Sequence, residues 1–366
     1  MIATRAELGS FSGWRDAFSG ERKDWRYYEI VNDTLSEPAA EFLYMVLPSG
    51  AIQPLFVLDQ DLLAGSGAAM LSFAGAVRRV WPRFLKMRTL MIGCAAGEGH
   101  LAATSDDLTA MLPRLAKENR ASLIVMKEFP ARYRTALEPL RSQGFTRVPS
   151  MPMTRLNIAY ENFDDFVARK LSKPTRKSLR RKLRAADGAE PRIELEVVND
   201  VSPYIDEIYP LYLAVYERSP LHFEKLTKEF LRALGARMPD KARFFIWRQA
   251  GKAIAFSLCL IHGDTIYDEY LGLDYSVAFD LHLYFYTLRD IINWAIEHRL
   301  QWYVSSALNY EPKLHLRCEL VPLDLYVRHT SPLINAVMKR VLPLLEPTRN
   351  DPVLHRFPNF REVWSE

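Results

Sequence analysis

The chain has 366 residues, of which 49% are hydrophobic and 25% charged, and its formal net charge is +4. This composition is ordinary for a soluble globular protein with substantial cores, and the length favours two or three domains. No apolar run approaches the ~18 residues of a transmembrane helix, and the N-terminus lacks the apolar core of a signal peptide, which favours a cytoplasmic location. Cys94, Cys259 and Cys318 fit neither a zinc pattern nor a disulfide framework, so no metal site is expected.

The first half of the chain alternates strands and helices. Residues 1–40 have weak periodicity and are predicted to form a leader that packs on the body. Strands are predicted at 41–48, 53–59, 89–93 and 122–129, and helices at 70–84, 108–119 and 131–143. Ser105 or Asp106 can cap the second of these helices, and Gly144 ends the third. This α/β half is predicted to end near Arg155.

The second half begins with a basic helix and contains the clearest β signal. A strand at 193–198 and helices at 204–216 and 227–236 lead into an antiparallel meander of strands at 243–248, 253–261 and 265–273. A long helix follows at 281–298, which Asp280 can cap. The last predicted elements are a strand at WYVSS, a short helix at 311–317, a strand at 322–328 and an amphipathic helix at 331–346.

Positive charge is concentrated in one segment, because Arg169 to Arg184 hold nine Lys or Arg and no acid, and the rest of the chain is net acidic. Ser172 is a plausible N-cap and Pro174 suits the first helical turn. The like charges repel one another, and a bound anion would offset that cost. Arginine binds phosphate through its bidentate fork, so the segment is interpreted as a site for phosphates, with a solvated helix as the alternative. The proposed binding residues are Arg176, Lys177, Arg180 and Arg181.

A glycine-rich segment after the strand at 89–93 could hold a cofactor. Gly97, Gly99 and Ala102 give a G-x-G-x-x-A pattern, which resembles the phosphate or adenosyl loop of Rossmann-type proteins, including methyltransferases. The helix that should follow at once is delayed to about Leu108. A structural loop that lines a pocket is therefore the alternative interpretation.

The candidate catalytic groups lie at the end of the meander and in the loop after the next strand. Strand alternation places Asp268 and Tyr270 on one face of the strand at 265–273, and Tyr267 and Glu269 on the other. A buried carboxylate near a cleft can act as a base, which amine acylation requires. The loop at 305–317 carries further polar candidates beside a strand end. The candidates are Glu269, Asp268, Lys313, Asn309 and His282.

Several of these segments together resemble one family. The order of meander, long helix, strand, short helix and strand is that of a GNAT acyltransferase core. The segments that resemble signatures of FemAB-like GNAT proteins, the peptidoglycan biosynthesis/recognition family, are FDDFVARKLSKPTRKSLRRKLR, KLTKEFLRALGARMPDKARFFIW, FDLHLYFYTLRDIINWAIEHRL and SSALNYEPKLHLRCELVP. The match spans about Arg155 to Arg328. By position, His282 matches the family's LHFE histidine and Lys313 its HK lysine.

The resemblance implies an α/β protein of tandem GNAT-like halves, with mixed, mostly antiparallel sheets flanked by helices. The halves are placed at 41–155 and 156–330, after the leader at 1–40 and before a C-terminal helix and tail at 331–366. The implied function is acyl or aminoacyl transfer, from acyl-CoA or aminoacyl-tRNA as cosubstrate, to an amine or hydroxyl of a small or peptide-like acceptor. Glu269, or failing it Asp268, would be the base, and Lys313 or Asn309 would stabilise the oxyanion. The alternatives are an S-adenosylmethionine methyltransferase that uses the loop at 93–99, and a non-catalytic protein that binds RNA or anionic lipid.

Overall fold

The computed structural model describes residues 1–36, 39–61, 72, 75–79, 86–102, 105–219 and 223–364. The strands in these residues are β1 (Ile2–Ala3), β2 (Glu41–Val46), β3 (Ile52–Asp61), β4 (Lys86–Ile92), β5 (Leu123–Pro130), β6 (Thr146–Asn157), β7 (Ile193–Val198), β8 (Ala242–Gln249), β9 (Lys252–His262), β10 (Thr265–Leu273), β11 (Trp302–Ser305) and β12 (Glu319–His329). The helices are α1 (Trp25–Thr34), α2 (Ser105–Glu118), α3 (Arg134–Leu137), α4 (Pro139–Ser142), α5 (Phe163–Lys170), α6 (Lys173–Asp187), α7 (Ile205–Arg218), α8 (Lys228–Arg237), α9 (Leu283–Glu297), α10 (Tyr310–His315), α11 (Pro332–Leu345) and α12 (Phe360–Val363).

The chain forms two compact units. Unit 1 comprises Met1–Ser150, Pro220–Thr227 and Pro322–Asn350, and unit 2 comprises Met151–Ser219, Lys228–Val321 and Asp351–Glu366. No helix among the described residues is long and apolar enough to cross a membrane.

The sheet of unit 1 has the strand order β1-β2-β3-β4-β5-β12. β2, β3 and β4 form an antiparallel meander, and β5 lies parallel to β4 after the α2 crossover. The apolar faces of these elements form one core, which includes Leu55, Ile92, Leu112, Met126 and Tyr326. Alternation of buried side chains along the strands therefore holds α2 against the sheet.

The sheet of unit 2 has the strand order β6-β11-β10-β9-β8-β7. β8, β9 and β10 are antiparallel, α9 follows, and β11 lies parallel to β10. The meander, the long helix and the next strand thus form one sheet and one core, as the sequence predicts. Both units therefore repeat the same order of meander, helix and parallel strand, which confirms the α/β architecture of two related halves.

Three local predictions differ from the structure. The helix expected at 131–143 is a 3-10 turn followed by α3 and α4, because Pro139 lacks the N–H that would continue the helical hydrogen bonds. His282 rather than Asp280 occupies the N-cap position of the long helix, without a side-chain cap bond, since the preceding residues turn through a bond from Ala278 N–H to Asp274 O. The helix expected at 70–84 lies mostly outside the described residues. Within that range, residues 75–78 are described and are helical. The third difference concerns the faces of β10.

A β-bulge at Glu269 reverses the alternation of β10. Asp268 pairs with Cys259 and Tyr270 pairs with the adjacent Leu258, so Glu269 is the extra residue. Asp268 and Tyr270 therefore do not share a face. Asp268 bonds Tyr303, whereas the Tyr270 ring lies 6.4 Å from the Tyr212 ring of α7.

Candidate active site

In unit 2, the parallel strands β10 and β11 separate at one end and leave an opening in the sheet. Pairing of β10 with β11 ends where Asp268 lies opposite Ser305, while β10 continues to Leu273. The α9 helix, which joins the two strands, begins on this side. Ligands of α/β sheets bind outside the carboxyl ends of their strands. This edge of unit 2 is therefore the place to look for reacting groups.

Asp268 lies at this edge in a network of hydroxyl groups. The Ser257 hydroxyl donates to Oδ1 at 2.5 Å, and the Tyr303 hydroxyl donates to Oδ2 at 2.7 Å. Burial raises the pKa of Asp268 above its ordinary value of 3.8, against the lowering effect of the two hydroxyls and of Lys313. The Cys259 thiol is a third donor, with its Sγ 3.9 Å from Oδ1. A carboxylate has about four acceptor positions, so one remains for a substrate proton.

Lys313 is buried on α10 and holds the loop that follows β11. Its Nζ donates to the carbonyl oxygens of Ser306, at 2.5 Å, and Leu308, at 2.7 Å. Leu308 and Asn309 both have positive φ, at 72° and 46°, a strained conformation that this lysine stabilises. Burial lowers the pKa of Lys313 to about 8, although the Asp268 carboxylate acts to raise it. Asp268 and Lys313 therefore interact electrostatically.

The other predicted residues take different positions around this pair. Asn309 is exposed at the start of α10. Burial strongly raises the pKa of Tyr284, and Asn309 acts to lower that pKa. Glu269 is buried in the bulge and lies near enough to Asp268 to raise its pKa. The His282 side chain is exposed, and its carbonyl oxygen accepts from the first turn of α9. Sequence reasoning missed Ser257 and Tyr303, because their contacts depend on pairing between distant strands, and Tyr284, because its surroundings depend on the packing of α9.

The basic helix α6 lines a groove of about 920 Å³ in unit 2, here called the basic groove. Ser172 caps the helix, as predicted, by accepting from Thr175 N–H at 3.4 Å. Arg289 in the groove is already paired with Asp187 and Asp290. Arg181 is not among the lining residues. The cations that line the groove are Lys173, Arg176, Lys177, Arg180, Arg184 and Arg289.

In unit 1, the glycine-rich segment encloses a buried charge cluster. Glu98 is 3% exposed. Its Oε2 forms ion pairs with the Arg22 guanidinium at 2.7 Å and with the ammonium of the fully buried Lys23 at 2.8 Å. The His100 Nε2 lies 3.4 Å from its other oxygen. Burial raises the pKa of Glu98, but the Arg22 and Lys23 cations outweigh that effect and hold the pKa well below 4.5.

Gly97 and Gly99 leave room for neighbouring atoms that a larger side chain would displace. Gly97 has φ +93°, and a Cβ there would collide with Lys23 Nζ. A Cβ on Gly99 would lie 2.6 Å from the Lys127 carbonyl oxygen. The chain's own side chains thus occupy the space beside the loop, which favours the structural interpretation over a cofactor loop. Among the described residues, no group of His, Cys, Asp and Glu could hold a metal ion.

Comparison with known proteins gives a consistent result. A model of the FemAB-like family, described as peptidoglycan biosynthesis/recognition, matches residues 94–311. The fold is similar to that of FemX, at 11% identity and a TM-score of 0.54, over 93% of this chain and 99% of that one. It is also similar to the C-terminal domain of a protein described as a lysylphosphatidylglycerol synthetase from Agrobacterium fabrum, at 12% identity and a TM-score of 0.51, over 93% of this chain and 97% of that one.

A curated relative is longer than this chain. A protein of Mycobacterium tuberculosis, provisionally named 8-amino-7-oxononanoate synthase 2, is 24% identical over 312 residues. The match covers 78% of this chain and 39% of that protein, so the chain spans about two fifths of the relative's length.

Proposed function

The chain belongs to the FemAB-like family of peptidoglycan biosynthesis/recognition proteins, and from that membership we propose that it transfers an acyl or aminoacyl group to an amine or hydroxyl. The observation that supports this most is that Ser306, which follows β11, links Asp268 and Lys313: its N–H donates to the Asp268 carbonyl oxygen, and its own carbonyl oxygen accepts from Lys313 Nζ. A carboxylate with a raised pKa and a buried ammonium are the two groups that acyl transfer requires, one to take a proton and one to stabilise an oxyanion.

The proposed mechanism is direct attack without a covalent enzyme intermediate. Asp268 takes a proton from the bound acceptor, whose nitrogen or oxygen then forms a bond to the acyl carbon. The carbonyl electron pair moves to oxygen, where Lys313 stabilises the negative charge. As the carbonyl re-forms, the bond to the thiol or ribose oxygen of the donor breaks, and the leaving group takes up the proton that Asp268 accepted, which returns Asp268 to its carboxylate form. We assign the base to Asp268 in place of Glu269 for two reasons. The charges of Lys313 and Asp268 interact, and the β-bulge interrupts the regular alternation of the strand at Glu269.

The basic groove is proposed to hold the donor's phosphates. Acyl-CoA and aminoacyl-tRNA both carry them, and arginine binds them with two parallel hydrogen bonds. Arg176, Lys177 and Arg180 line the groove together, whereas Arg181 does not. Of the four residues predicted to bind phosphate, we therefore propose three and leave out Arg181.

Arg176→Ala combined with Arg180→Ala is expected to weaken donor binding, because each charge-assisted contact contributes roughly 1.5–3 kcal/mol. Calorimetric titration with acyl-CoA and aminoacyl-tRNA at two salt concentrations would measure this, and binding should weaken as salt rises. Arg181→Ala is the control for each single variant, Arg176→Ala and Arg180→Ala, because it removes one charge from the same helix outside the groove. Equal weakening by Arg181→Ala would indicate a general charge effect rather than binding in the groove.

We propose a primary amine as the acceptor, and a 2-amino ketone as one class to test. The curated relative's name denotes a synthase whose product carries an amino group beside a ketone. The region similar to this chain accounts for only 39% of that longer protein. A chain that acylates such an amine would consume the product of a synthase of this kind. Assays should therefore include a 2-amino ketone beside amino acids, peptides and hydroxyl acceptors.

The pH dependence of turnover tests Lys313. Its pKa of about 8 means that the ammonium is present below pH 8 and is lost as pH rises through that value. Turnover should therefore fall above about pH 8 for an acceptor whose own pKa lies below 7, which keeps the acceptor from titrating in that range. Lys313→Met should lower turnover and remove this alkaline limb. An unchanged limb in Lys313→Met would assign it to another group.

Donor binding separates the proposal from its alternatives. Thermal unfolding should shift upwards with acyl-CoA or aminoacyl-tRNA and not with S-adenosylmethionine, since only a bound ligand raises apparent stability. A shift with S-adenosylmethionine that Gly97→Val and Gly99→Val abolish would support the methyltransferase instead. Binding of RNA or anionic lipid without any transfer would support a non-catalytic role.

A further inference from the structure

Helix α11 of unit 1 carries an apolar stripe that faces solvent. Leu333 is 83% exposed, Val337 58% and Val341 40%, and their spacing of four residues places them on one face of the helix. Ile334, 44% exposed, widens the stripe. Burying a side chain of this size contributes roughly 1.5–3 kcal/mol, so this face gains from being covered.

The helix is held firmly at its start, and it has no acidic residue. The Asn335 side chain donates to Gly144 O and accepts from His329 N–H, both at 2.9 Å. Within Pro332–Leu345 the charged residues are Lys339 and Arg340, both exposed. A short helix with an apolar face, bases and no acid is typical of segments that lie in a membrane interface.

A second feature lies next to this helix in unit 1. A cavity of about 470 Å³, here called the unit 1 cavity, has three cationic side chains and no acid in its lining. Two of its lining residues, Arg328 and Thr330, immediately precede α11 in the chain. The other two cations are Lys117 and Arg120. The cavity thus offers guanidinium and ammonium groups to an anion at the start of the apolar stripe.

We propose that this face of unit 1 docks on an anionic phospholipid bilayer, with the α11 stripe at the level of the headgroups and the unit 1 cavity holding a lipid phosphate. Apolar area and positive charge occur together, which matches the two forces that hold a peripheral protein on such a surface. A partner protein surface would need acids opposite Lys339 and Arg340 as well as an apolar groove. The proposal is independent of acyl transfer and of the basic groove.

Co-sedimentation with vesicles of phosphatidylcholine containing 30% phosphatidylglycerol, and with pure phosphatidylcholine vesicles, tests it. The protein should bind the anionic vesicles and should be released by salt. Leu333→Asp with Val337→Asp should reduce binding to background, with melting temperature unchanged because both residues are exposed. Phe279→Asp in unit 2 removes another exposed apolar side chain, 68% exposed, and should leave binding unchanged.

Charge removal tests the local electrostatics. Lys117→Ala, Lys339→Ala and Arg340→Ala together should weaken partitioning on the order of 100-fold, about fivefold per charge. Lys170→Ala, Arg192→Ala and Lys252→Ala in unit 2 change the net charge equally and should have little effect.

Five results would overturn the proposal. The protein could fail to bind either vesicle, or the Leu333→Asp with Val337→Asp variant could bind the anionic vesicles as tightly as the wild type does. Binding could instead be lost in Arg176→Ala with Arg180→Ala, which would place the lipid in the basic groove. Calorimetry could show inorganic phosphate in the unit 1 cavity without vesicle binding. Analytical ultracentrifugation could show a dimer that Leu333→Asp with Val337→Asp dissociates, which would make a second copy the occupant of the stripe.

Discussion

Asp268→Asn is expected to lower turnover by ~10²–10⁴-fold, the usual contribution of a general base. The amide nearly matches the carboxylate in shape but cannot take a proton from the acceptor, so donor binding should not change. Stopped-time assays of acyl transfer at saturating donor and acceptor would measure the loss.

Glu269→Gln is the matched control, because it neutralises the neighbouring carboxylate on the bulge and leaves Asp268 intact. If Glu269→Gln is crippling and Asp268→Asn is silent, the base is Glu269, as the sequence alone favours. If both variants are fully active, the acceptor or donor supplies the base, and the proposed role of Asp268 is wrong.

Glu98→Ala is expected to lower the free energy of unfolding by about 3–5 kcal/mol, because breaking a buried ion pair leaves an uncompensated charge in the interior. Arg22 and Lys23 would both lose this carboxylate as a partner. Chemical denaturation at pH 7 would measure the loss. Glu118→Ala removes the carboxylate of an exposed pair with Arg114 and should have little effect on stability, because solvent screens such pairs. Similar small losses in both variants would contradict the importance of the Glu98 cluster.

The same cluster predicts an acid sensitivity. Because the pKa of Glu98 is lower in the folded protein than its ordinary 4.5, its contribution is complete above pH 4.5 and is lost as pH falls through the lower folded value. The stability difference between the wild type and Glu98→Ala should therefore shrink at low pH. A difference that grew on acidification would mean that Glu98 is not ionised in the folded state.

Local signals predicted much of the fold. The start of α6 was predictable because Ser172 and Pro174 are neighbours of the helix that they begin. The meander was predictable because its turns carry Gly251 and Gly263, both with positive φ. The order of β10, β11 and α9 followed from the resemblance to the GNAT core.

The details of the site depend on contacts that no local signal contains. The bulge at Glu269 exists only in the pairing of β10 with β9, so alternation along one strand could not predict it. Tyr303 reaches Asp268 from 35 residues away, and Lys23 reaches Glu98 from 75 residues away. The burial of Lys23 could not be predicted from the sequence, because its partner Glu98 is brought to it only by tertiary packing.

The most direct test of the central claim is mass spectrometry of the acceptor after incubation with the purified protein and an activated donor. The donors to compare are acyl-CoA and aminoacyl-tRNA, each with amine and hydroxyl acceptors. The account predicts an acceptor whose mass rises by that of the acyl group, at a rate that Asp268→Asn lowers by the factor given above. Donor binding in the basic groove with no acylated acceptor across the panel, or acylation at the same rate in Asp268→Asn and Lys313→Met, would contradict it.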